Sequence, residues 1–324
     1  MKLIQKLLNK FSGLHYRQEY LCLAKEAFQQ PLYVYLVAGR KVVVDVTDLQ
    51  IFVGYSPLVI ALPSGIIAGL NSQTIQLIFS RRFLQQNEFF IEKDAIARLY
   101  LKKIAQQSVS ESVVCFYEGV QGRHHFLSGF QQAIIRLNNH WYGRKPGNVF
   151  LSGNLYDQVQ IGYAVPRKIC LITVGQNNLY NHFPTDLHGK VDQRYYVISL
   201  RHEGNACKQV ESSGKIVLSD MDVNSYKKVY ALGKNHMQPL KERSAFDFSS
   251  NGSKSLDLPL PKEVVSYKEL EVISSFIVGL HKLILFRIVY EEKTDQKKST
   301  LVHIHNSYAT WRNKRGIEGN YLLR

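Results

Sequence analysis

The sequence contains 324 residues, of which 45% are hydrophobic and 21% are charged. This balance is typical of a folded globular chain and excludes a largely disordered one. Lys and Arg number 41 against 26 Asp and Glu, so the net charge is +15 and the surface attracts anions. The basic residues are scattered, and no helix-turn-helix, zinc-finger or RNP-like signature accompanies them. Solvated basic faces that partly serve a phosphorylated cofactor are therefore favoured over nucleic-acid binding.

Cysteine usage and the first residues bear on the compartment. Cys22, Cys115, Cys170 and Cys207 form no CxxC pair, which predicts a reducing environment without disulfides or a zinc site. Apolar positions in residues 1–11 recur at helical spacing between lysines, which favours an amphipathic start over a secretory segment. No stretch approaches the ~20 apolar residues of a membrane span. We therefore expect a cytoplasmic protein.

The first half is predicted to be a strand-rich α+β region. Apolar residues of 93–105 recur at helical intervals and predict a packing helix, and Ser128 is the expected N-cap of a helix that runs to Asn139. Turn formers and charges at 142–148 predict a domain boundary, with residues 1–147 before it and 148–324 after it. Runs rich in β-branched residues predict strands at 32–37, 41–46, 51–55, 59–62, 75–79 and 112–117.

The second half is organised around residues 165–219. Residues 181–186 are predicted to be irregular, because Pro184 has no N–H to give to a ladder and biases Phe183 towards extended geometry. Gly214 is expected to end a short helix. The other elements predicted here are strands at 149–161, 169–174, 195–200, 215–219, 269–277, 281–290 and 301–305, helices at 206–212 and 226–236, a mobile loop at 246–254 and a charged hairpin tip at 295–299.

The order of these pieces resembles the flavin reductase-like proteins of the FMN-binding split-barrel fold. No single piece is specific, and the order and spacing of all of them carry the resemblance over roughly residues 160–324. The matching pieces are Pro166-Arg167 before the apolar strand 169–173, Asn181 with Pro184-Thr185, the polar helix that ends at Gly214, and Gly279-Leu280-His281 before a late strand.

The resemblance implies a fold, a cofactor and a reaction. Residues 148–324 would form a split β-barrel and residues 1–147 an added α+β region. The chain would bind FMN and transfer hydride from NADH or NADPH to FMN or to a freely exchanging flavin. Relatives commonly form homodimers with the flavin near the interface, so a homodimer is expected here as well.

The resemblance also implies site residues. Main-chain groups beside Pro184 would recognise the isoalloxazine edge, and His281 is the candidate catalytic residue because an imidazole titrates near neutrality. Many relatives carry a Lys-Asp-Thr-like run where this chain has Gly204-Asn205-Ala206, so a phosphate hydroxyl is missing and a cation would replace it. The candidate cofactor-binding residues are Arg167, Asn181, Phe183, Pro184, Thr185, Asp186, Leu187, His188, Gly189, Arg201 and Lys208.

Three alternatives remain open at this point. The missing run motivates a module that binds FMN without catalysis, and the net charge alone motivates nucleic-acid binding. A haem on the same barrel type would take His188 or His281 as its axial ligand. His303 and His305 share one face of a predicted strand, but no third metal ligand is evident and a hydrogen-bonded pair is favoured.

Overall fold

The computed structural model describes residues 13–16, 18–67, 73–109, 112–143, 148–293 and 298–322. Its helices are α1 (Ser64–Ile67), α2 (Gly129–Gly143), α3 (Asn154–Gly162), α4 (Asn205–Ser213), α5 (Tyr226–Ala231) and α6 (Asn306–Asn313). Its strands are β1 (Tyr20–Ala24), β2 (Tyr33–Ala38), β3 (Lys41–Asp45), β4 (Ile51–Tyr55), β5 (Leu58–Pro63), β6 (Thr74–Ser80), β7 (Ala95–Val109), β8 (Ser112–His124), β9 (Arg167–Lys168), β10 (Cys170–Gln176), β11 (Leu179–Thr185), β12 (His188–Lys190), β13 (Tyr195–Arg201), β14 (Lys215–Met221), β15 (Lys241–Glu242), β16 (Phe248–Gly252), β17 (Pro259–Pro261), β18 (Val264–Val278), β19 (His281–Lys293) and β20 (Leu301–His305).

The first large sheet contains seven antiparallel strands in the order β3-β2-β6-β7-β8-β5-β4. Its buried face carries Leu36, Leu77 and Leu99, which pack in one core with Val159 and Ile161 of α3. The alternation of buried and half-buried residues along β7 is that of a strand with one face on a core. Helix α3 therefore covers one face of this sheet.

The second large sheet contains eight strands in the order β12-β13-β19-β18-β14-β10-β11-β15. Helix α4 turns Ala206, Cys207 and Val210 towards it, where they pack with Ile172 and Phe286. Gly214 is the C-cap of α4 and has a left-handed conformation with φ 67°. Glycine adopts this conformation without steric strain because it has no Cβ. A separate sheet of order β1-β20-β9 joins the start, the end and the middle of the chain, and all five residues of β20 are buried.

The two large sheets share one topology when β15 is set aside. Seven strands of each half, β2 to β8 and then β10 to β14 with β18 and β19, occupy the same places in their sheets in the same chain order. A helix, α1 or α4, stands between the fourth and fifth strands of each set. The sixth strands both contain 15 residues and the seventh strands both contain 13.

Four secondary-structure predictions were wrong, three of them in the following regions. Residues 93–105 form most of β7, because its apolar residues also fit a strand: Ala95, Ala97 and Leu99 are buried on one face. Residues 149–161 are mainly α3, whose buried side chains include the polar Gln158 and Gln160, so the helical period was hidden. The predicted 246–254 loop contains β16, which pairs with β17.

The predicted irregular segment 181–186 was also wrong, since most of it lies in β11. Pro184 pairs with Leu171 of β10, and its carbonyl accepts a hydrogen bond from His236 Nε2 at 2.8 Å on the outer side of the strand. The nitrogen of a strand residue points to the same side as its carbonyl, so the missing N–H of Pro184 falls outside the β10 ladder. There β15 pairs only with Leu179 and Tyr180.

Other predictions hold or fall outside the described residues. The strands predicted from 32–37 through 301–305 are present apart from 149–161, and α2 begins after Ser128, whose Oγ accepts from Gln131 N at 3.4 Å. The amphipathic residues 1–11, the centre of the 142–148 boundary and residues 295–297 of the predicted tip at 295–299 lie outside the described residues. Among the helices that the structure describes, none has the length and apolar character needed to cross a membrane.

Candidate functional site

A cavity of about 460 Å³ lies where the two halves meet, within the usual size range of small-molecule sites. Tyr55 reaches it from the end of β4, Asp186 and Arg201 from the second sheet, and His303 from β20. The rest of the wall comes mainly from α2, α3 and the segment between them. The other lining residues are Glu19, Tyr20, Ile135, Asn138, Asn139, Gly143, Asn148, Val149, Leu151, Tyr156, Tyr163 and Asn306.

Asp186 is the centre of a hydrogen-bonded cluster on the cavity wall. Its Oδ2 accepts from Tyr163 Oη at 2.6 Å and lies 2.7 Å from His303 Nε2, and its side chain is 22% exposed. Burial works to raise the pKa of Asp186, but the hydrogen bond and charge of His303, together with the hydrogen bond from Tyr163, outweigh it and lower that pKa to about 2. The carboxylate is therefore ionised at neutral pH.

The tyrosines of this wall are held in place by packing. Burial and the charge of Asp186 raise the pKa of Tyr163 well above its ordinary value, so its hydroxyl keeps its proton. Tyr20 stacks on the ring of His303 with centroids 5.3 Å apart and meets Tyr163 edge-on at 4.9 Å. Elsewhere in the lining, Tyr156 Oη donates to Glu19 Oε1 at 3.1 Å. Ring contacts with Tyr20 thus hold Tyr163 and His303 in place beside Asp186.

Arg201 and Tyr55 form the edge of the cavity on the side of the second sheet. Arg201 Nε donates to Tyr55 Oη at 2.8 Å, and its guanidinium lies 5.9 Å from the centre of the tyrosine ring. Arg201 is the only Lys or Arg side chain among the described residues that line the cavity. A guanidinium in this position provides a site for an anionic group of a ligand.

His281 lies behind Tyr55 and does not line the cavity. The two rings meet edge-on with centroids 4.4 Å apart, and Ser199 Oγ is 3.1 Å from His281 Nδ1. His281 Nε2 is buried and has no hydrogen-bond partner among the described residues. Burial, assisted by the charge of Arg201, lowers the pKa of His281 to about 4, so the ring is neutral at neutral pH.

The structure brings Asp186 and Arg201 together, but most other predicted cofactor residues are engaged inside the protein. Asn181 Nδ2 donates to Gln209 Oε1 at 2.7 Å and to the carbonyl of Asn235 at 3.0 Å. Phe183 is fully buried in the core of the second sheet. Thr185 lies opposite Cys170 in the β10 ladder, Leu187 is buried and its carbonyl accepts from Ser199 N, and Pro184 bonds His236 as described above.

The remaining candidates lie elsewhere on the fold. Arg167 is buried, donates to the carbonyl of Gly162 at 2.8 Å and to Gln50 Oε1 at 3.0 Å, and burial lowers its pKa to about 10. Lys208 lies on the exposed side of α4 and does not line the cavity. Gly189 packs against Ile51 of the first half.

His188 is engaged at both ring nitrogens. Nδ1 lies 2.7 Å from Tyr196 Oη, and Nε2 lies 3.1 Å from the carbonyl of Lys168. Both nitrogens therefore already have partners within the protein, which speaks against His188 as an axial haem ligand.

Sequence reasoning missed Tyr55, Tyr163 and His303 as site residues. They come from three separate elements, β4, the end of α3 and β20, and only folding brings them beside Asp186 and Arg201. The sequence did contain one signal, the pair His303 and His305 on a single strand. His303 is bonded to Asp186, and His305 Nδ1 lies 2.9 Å from Ser307 Oγ.

Comparison with known proteins gives matches among solved structures only. No family model matches the chain, and neither does any curated protein. An FMN-binding protein from Thermus thermophilus is 14% identical with a TM-score of 0.38, covering 42% of this chain and 81% of its own. An NADH:FAD oxidoreductase from Streptomyces globisporus is 12% identical with a TM-score of 0.42, covering 50% of this chain and 96% of its own.

The flavin reductase component of a bacterial two-component tryptophan halogenase is 13% identical, with a TM-score of 0.41, and covers 47% of this chain and 94% of its own. These values describe a distant likeness that extends over about half of the chain. The resemblance stated from the sequence is borne out as a likeness only: the chain is similar to flavin reductases and FMN-binding proteins, at low identity and over part of its length.

Proposed function

We propose that the chain is a flavoprotein that binds FMN in the cavity between its halves and acts as an NAD(P)H-dependent flavin reductase. The second half, residues 148–324, would form the flavin reductase-like split β-barrel. The observation that carries this proposal is the cavity itself: about 460 Å³, walled by tyrosines, with an ionised Asp186 and Arg201 on its rim. We also propose a cytoplasmic location, supported by Cys115, Cys170 and Cys207, which are buried thiols outside any disulfide.

The residues of the cavity fit FMN in three respects. Its volume lies in the range of cofactor sites, and its aromatic walls suit a flat ring system. The guanidinium of Arg201 is placed to hold the phosphate. The two carboxylates are occupied by protein groups, Asp186 by Tyr163 and His303 and Glu19 by Tyr156, so each is partly compensated before a ligand arrives.

Each of these groups then has a definite task. Bound FMN would supply the capacity to accept a hydride from NADH or NADPH. Asp186 fixes the hydroxyl of Tyr163 and the ring of His303, so both present one orientation to the ligand. Arg201 holds Tyr55 by its hydroxyl, and the neutral ring of His281 packs edge-on behind that tyrosine and supports it.

The absorption spectrum tests the proposal. Purified protein incubated with FMN and freed of excess should be yellow, and it should oxidise NADH or NADPH in the presence of flavin. Tyr163→Phe removes the hydroxyl bonded to Asp186 and should weaken FMN binding by roughly tenfold, the value of about 1.4 kcal/mol. Tyr267→Phe is the matched control, because Tyr267 Oη also donates to a carboxylate, Glu292, but lies away from the cavity.

Protein that stays colourless after this treatment would refute the flavin function. If Tyr163→Phe and Tyr267→Phe weaken FMN binding equally, the cavity is not the FMN site, although the protein still binds flavin.

One observation favours a second candidate, a protein that binds FMN without pyridine-nucleotide oxidation. The predicted catalytic His281 stands behind Tyr55 instead of facing the cavity. A yellow protein that oxidises neither NADH nor NADPH would support this alternative over the reductase.

A further inference from the structure

The shared topology of the two halves extends to small irregularities of their sheets. The β7–β8 ladder shifts register between Tyr100 and Leu101 and again between Lys103 and Ala105. The β18–β19 ladder shifts between Glu269 and Leu270 and again between Val272 and Ser274. Counted from the first residue of each strand, these shifts fall at the same positions. Bulges are conserved features of a fold, so two independent sheets would rarely match in this way.

The halves also contact each other reciprocally. The hairpin tip between β18 and β19 reaches the β4–β5 turn, where Leu280 N donates to the carbonyl of Ser56 at 2.9 Å. The strand β8, at the tip of the corresponding hairpin, reaches the β12–β13 turn, where Ser112 Oγ bonds Asp192. Each half therefore offers the same two features to the other, which is the pattern of an interface with two-fold symmetry.

Two equivalent residues meet where the axis of such symmetry would pass. Ile51 pairs with Ala61 on β5, and Gly189 pairs with Val197 on β13. Ala61 and Val197 in turn face the fifth residues of β8 and β19, so Ile51 and Gly189 hold the same place in their halves. A Cβ on Gly189 would lie 2.5 Å from Ile51 Cγ2. Only residues beside a two-fold axis touch their own equivalents.

The apolar cluster between the halves follows the same symmetry. Val114 and Phe116 on β8 are matched by Leu283 and Leu285 at the same positions of β19, and all four are buried in one cluster. From β5 and β13 the equivalent pairs Val59 with Tyr195 and Ala61 with Val197 complete it. A symmetric, apolar and closely packed contact of this kind is typical of a permanent homodimer.

The site residues do not obey the symmetry. Ser199 lies opposite the third residue of β19, and Pro63 holds its place opposite the third residue of β8. Arg201 lies opposite His281, the first residue of β19. The first half has no strand residue in the place of Arg201, because β5 ends at Pro63 and α1 begins at Ser64. Ser112, the first residue of β8, holds the place of His281. The first half has thus kept the fold and the interface but not these polar groups.

We infer that the chain is internally duplicated, that its first half stands where the second subunit of a homodimer would, and that the protein is a monomer with one ligand site built by both halves. The halves are joined covalently, so the self-complementary surface is used within the chain. The first half keeps part of the wall of the cavity, through Tyr55 and α2, and has lost its own copy of the site. The homodimer expected from the sequence is replaced by this arrangement.

Two measurements on the unmodified protein test the inference. Light scattering of the purified chain should give the mass of one chain, 37.2 kDa, and a value twice as large would overturn it. Titration with FMN, which rests on the proposed function, should saturate at one equivalent per chain, and two equivalents would overturn the loss of the second site. A chain that binds no FMN counts against the flavin function only, and its mass then decides the inference.

A crosslink tests the axis without any flavin. In the double variant Ile51→Cys with Gly189→Cys an ideal Cβ at position 189 lies 3.2 Å from that of position 51, a few tenths of an ångström short of the roughly 3.5–4.5 Å of disulfides, so a small shift of the backbone lets the bond form. Oxidation should consume both new thiols and leave one chain on a non-reducing denaturing gel, while each single variant stays reduced. Disulfide-linked pairs of chains, or two unreacted thiols in protein that keeps the wild-type circular dichroism spectrum, would contradict the inference.

Discussion

Gly189 gives the sharpest energetic test of how the halves fit together. In Gly189→Ala the new Cβ would meet Ile51 at three atoms, Cγ2 at 2.5 Å, Cγ1 at 3.0 Å and Cβ at 3.2 Å. Ile51 is only 4% exposed and sits inside an apolar cluster, so it cannot turn away into solvent. Overpacking of such a core costs about 1–3 kcal/mol. We expect the variant to lose that much free energy of unfolding.

The cause of that loss can be isolated by a double-mutant cycle. Ile51→Ala alone deletes buried carbons and should cost about 2–5 kcal/mol. In the double variant the clash is gone, so the combined loss should fall short of the sum of the single losses by about 1–3 kcal/mol. Gly233→Ala is the control, because a Cβ there meets no atom within 4 Å. Denaturant midpoints with unchanged slopes provide the measurement.

Two results would refute the reasoning. One is a Gly189→Ala variant as stable as Gly233→Ala, and the other is a double variant whose loss of free energy of unfolding equals the sum of the losses at positions 51 and 189. In either case the two residues are not in contact in solution, and the reciprocal packing of the halves would have to be abandoned.

Three further predictions concern stability and its pH dependence. Asp186→Asn should cost about 2 kcal/mol at pH 7, from a pKa lowered from 3.8 to about 2, and the difference from wild type should shrink as pH falls from 3.8 to 2; a constant difference would contradict it. Arg167→Lys loses bonds to Gly162 and Gln50 and should cost about 2–4 kcal/mol in denaturant while folded protein retains FMN uptake; weaker uptake would instead favour a phosphate role. Burial lowers the pKa of His182 to about 4, so the unfolded chain binds more protons between pH 6.5 and 4; stability should be full above pH 6.5 and fall by up to about 3 kcal/mol towards pH 4, and flat unfolding midpoints would exclude this.

The sequence predicted most strands, and the failures have physical causes. The apolar residues of β7 satisfy a helical period and an alternating one at once, and small Ala95 and Ala97 on the buried face carried no signal. The prediction assumed that Pro184 would break a ladder hydrogen bond. Its nitrogen instead points to the outer side of β11, where no ladder bond is formed at this residue. In α3 the buried amides of Gln158 and Gln160 hid the helical face.

Of the residues predicted to bind the cofactor, only Asp186 and Arg201 line the cavity. Both are charged residues close in sequence to the motifs that carry the resemblance. Its aromatic wall comes from elements far apart in the chain, and nothing local links Tyr55 or Tyr163 to them. The sequence did not reveal the duplication either, since equivalent strand positions such as Pro63 and Ser199 share a place in the ladder but no side-chain character. The equivalence of the two halves is visible in their strand order and register but not in their residue types.

The position of β20 has a consequence for the order of assembly. It is the central strand between β1 and β9, and these two strands have no pairing partner in their sheet until Leu301–His305 is in place. His303 arrives with that strand and completes the surroundings of Asp186. During synthesis, therefore, both large sheets can form while the cavity wall is still open, and the last strand to leave the ribosome among those described is the one that finishes it.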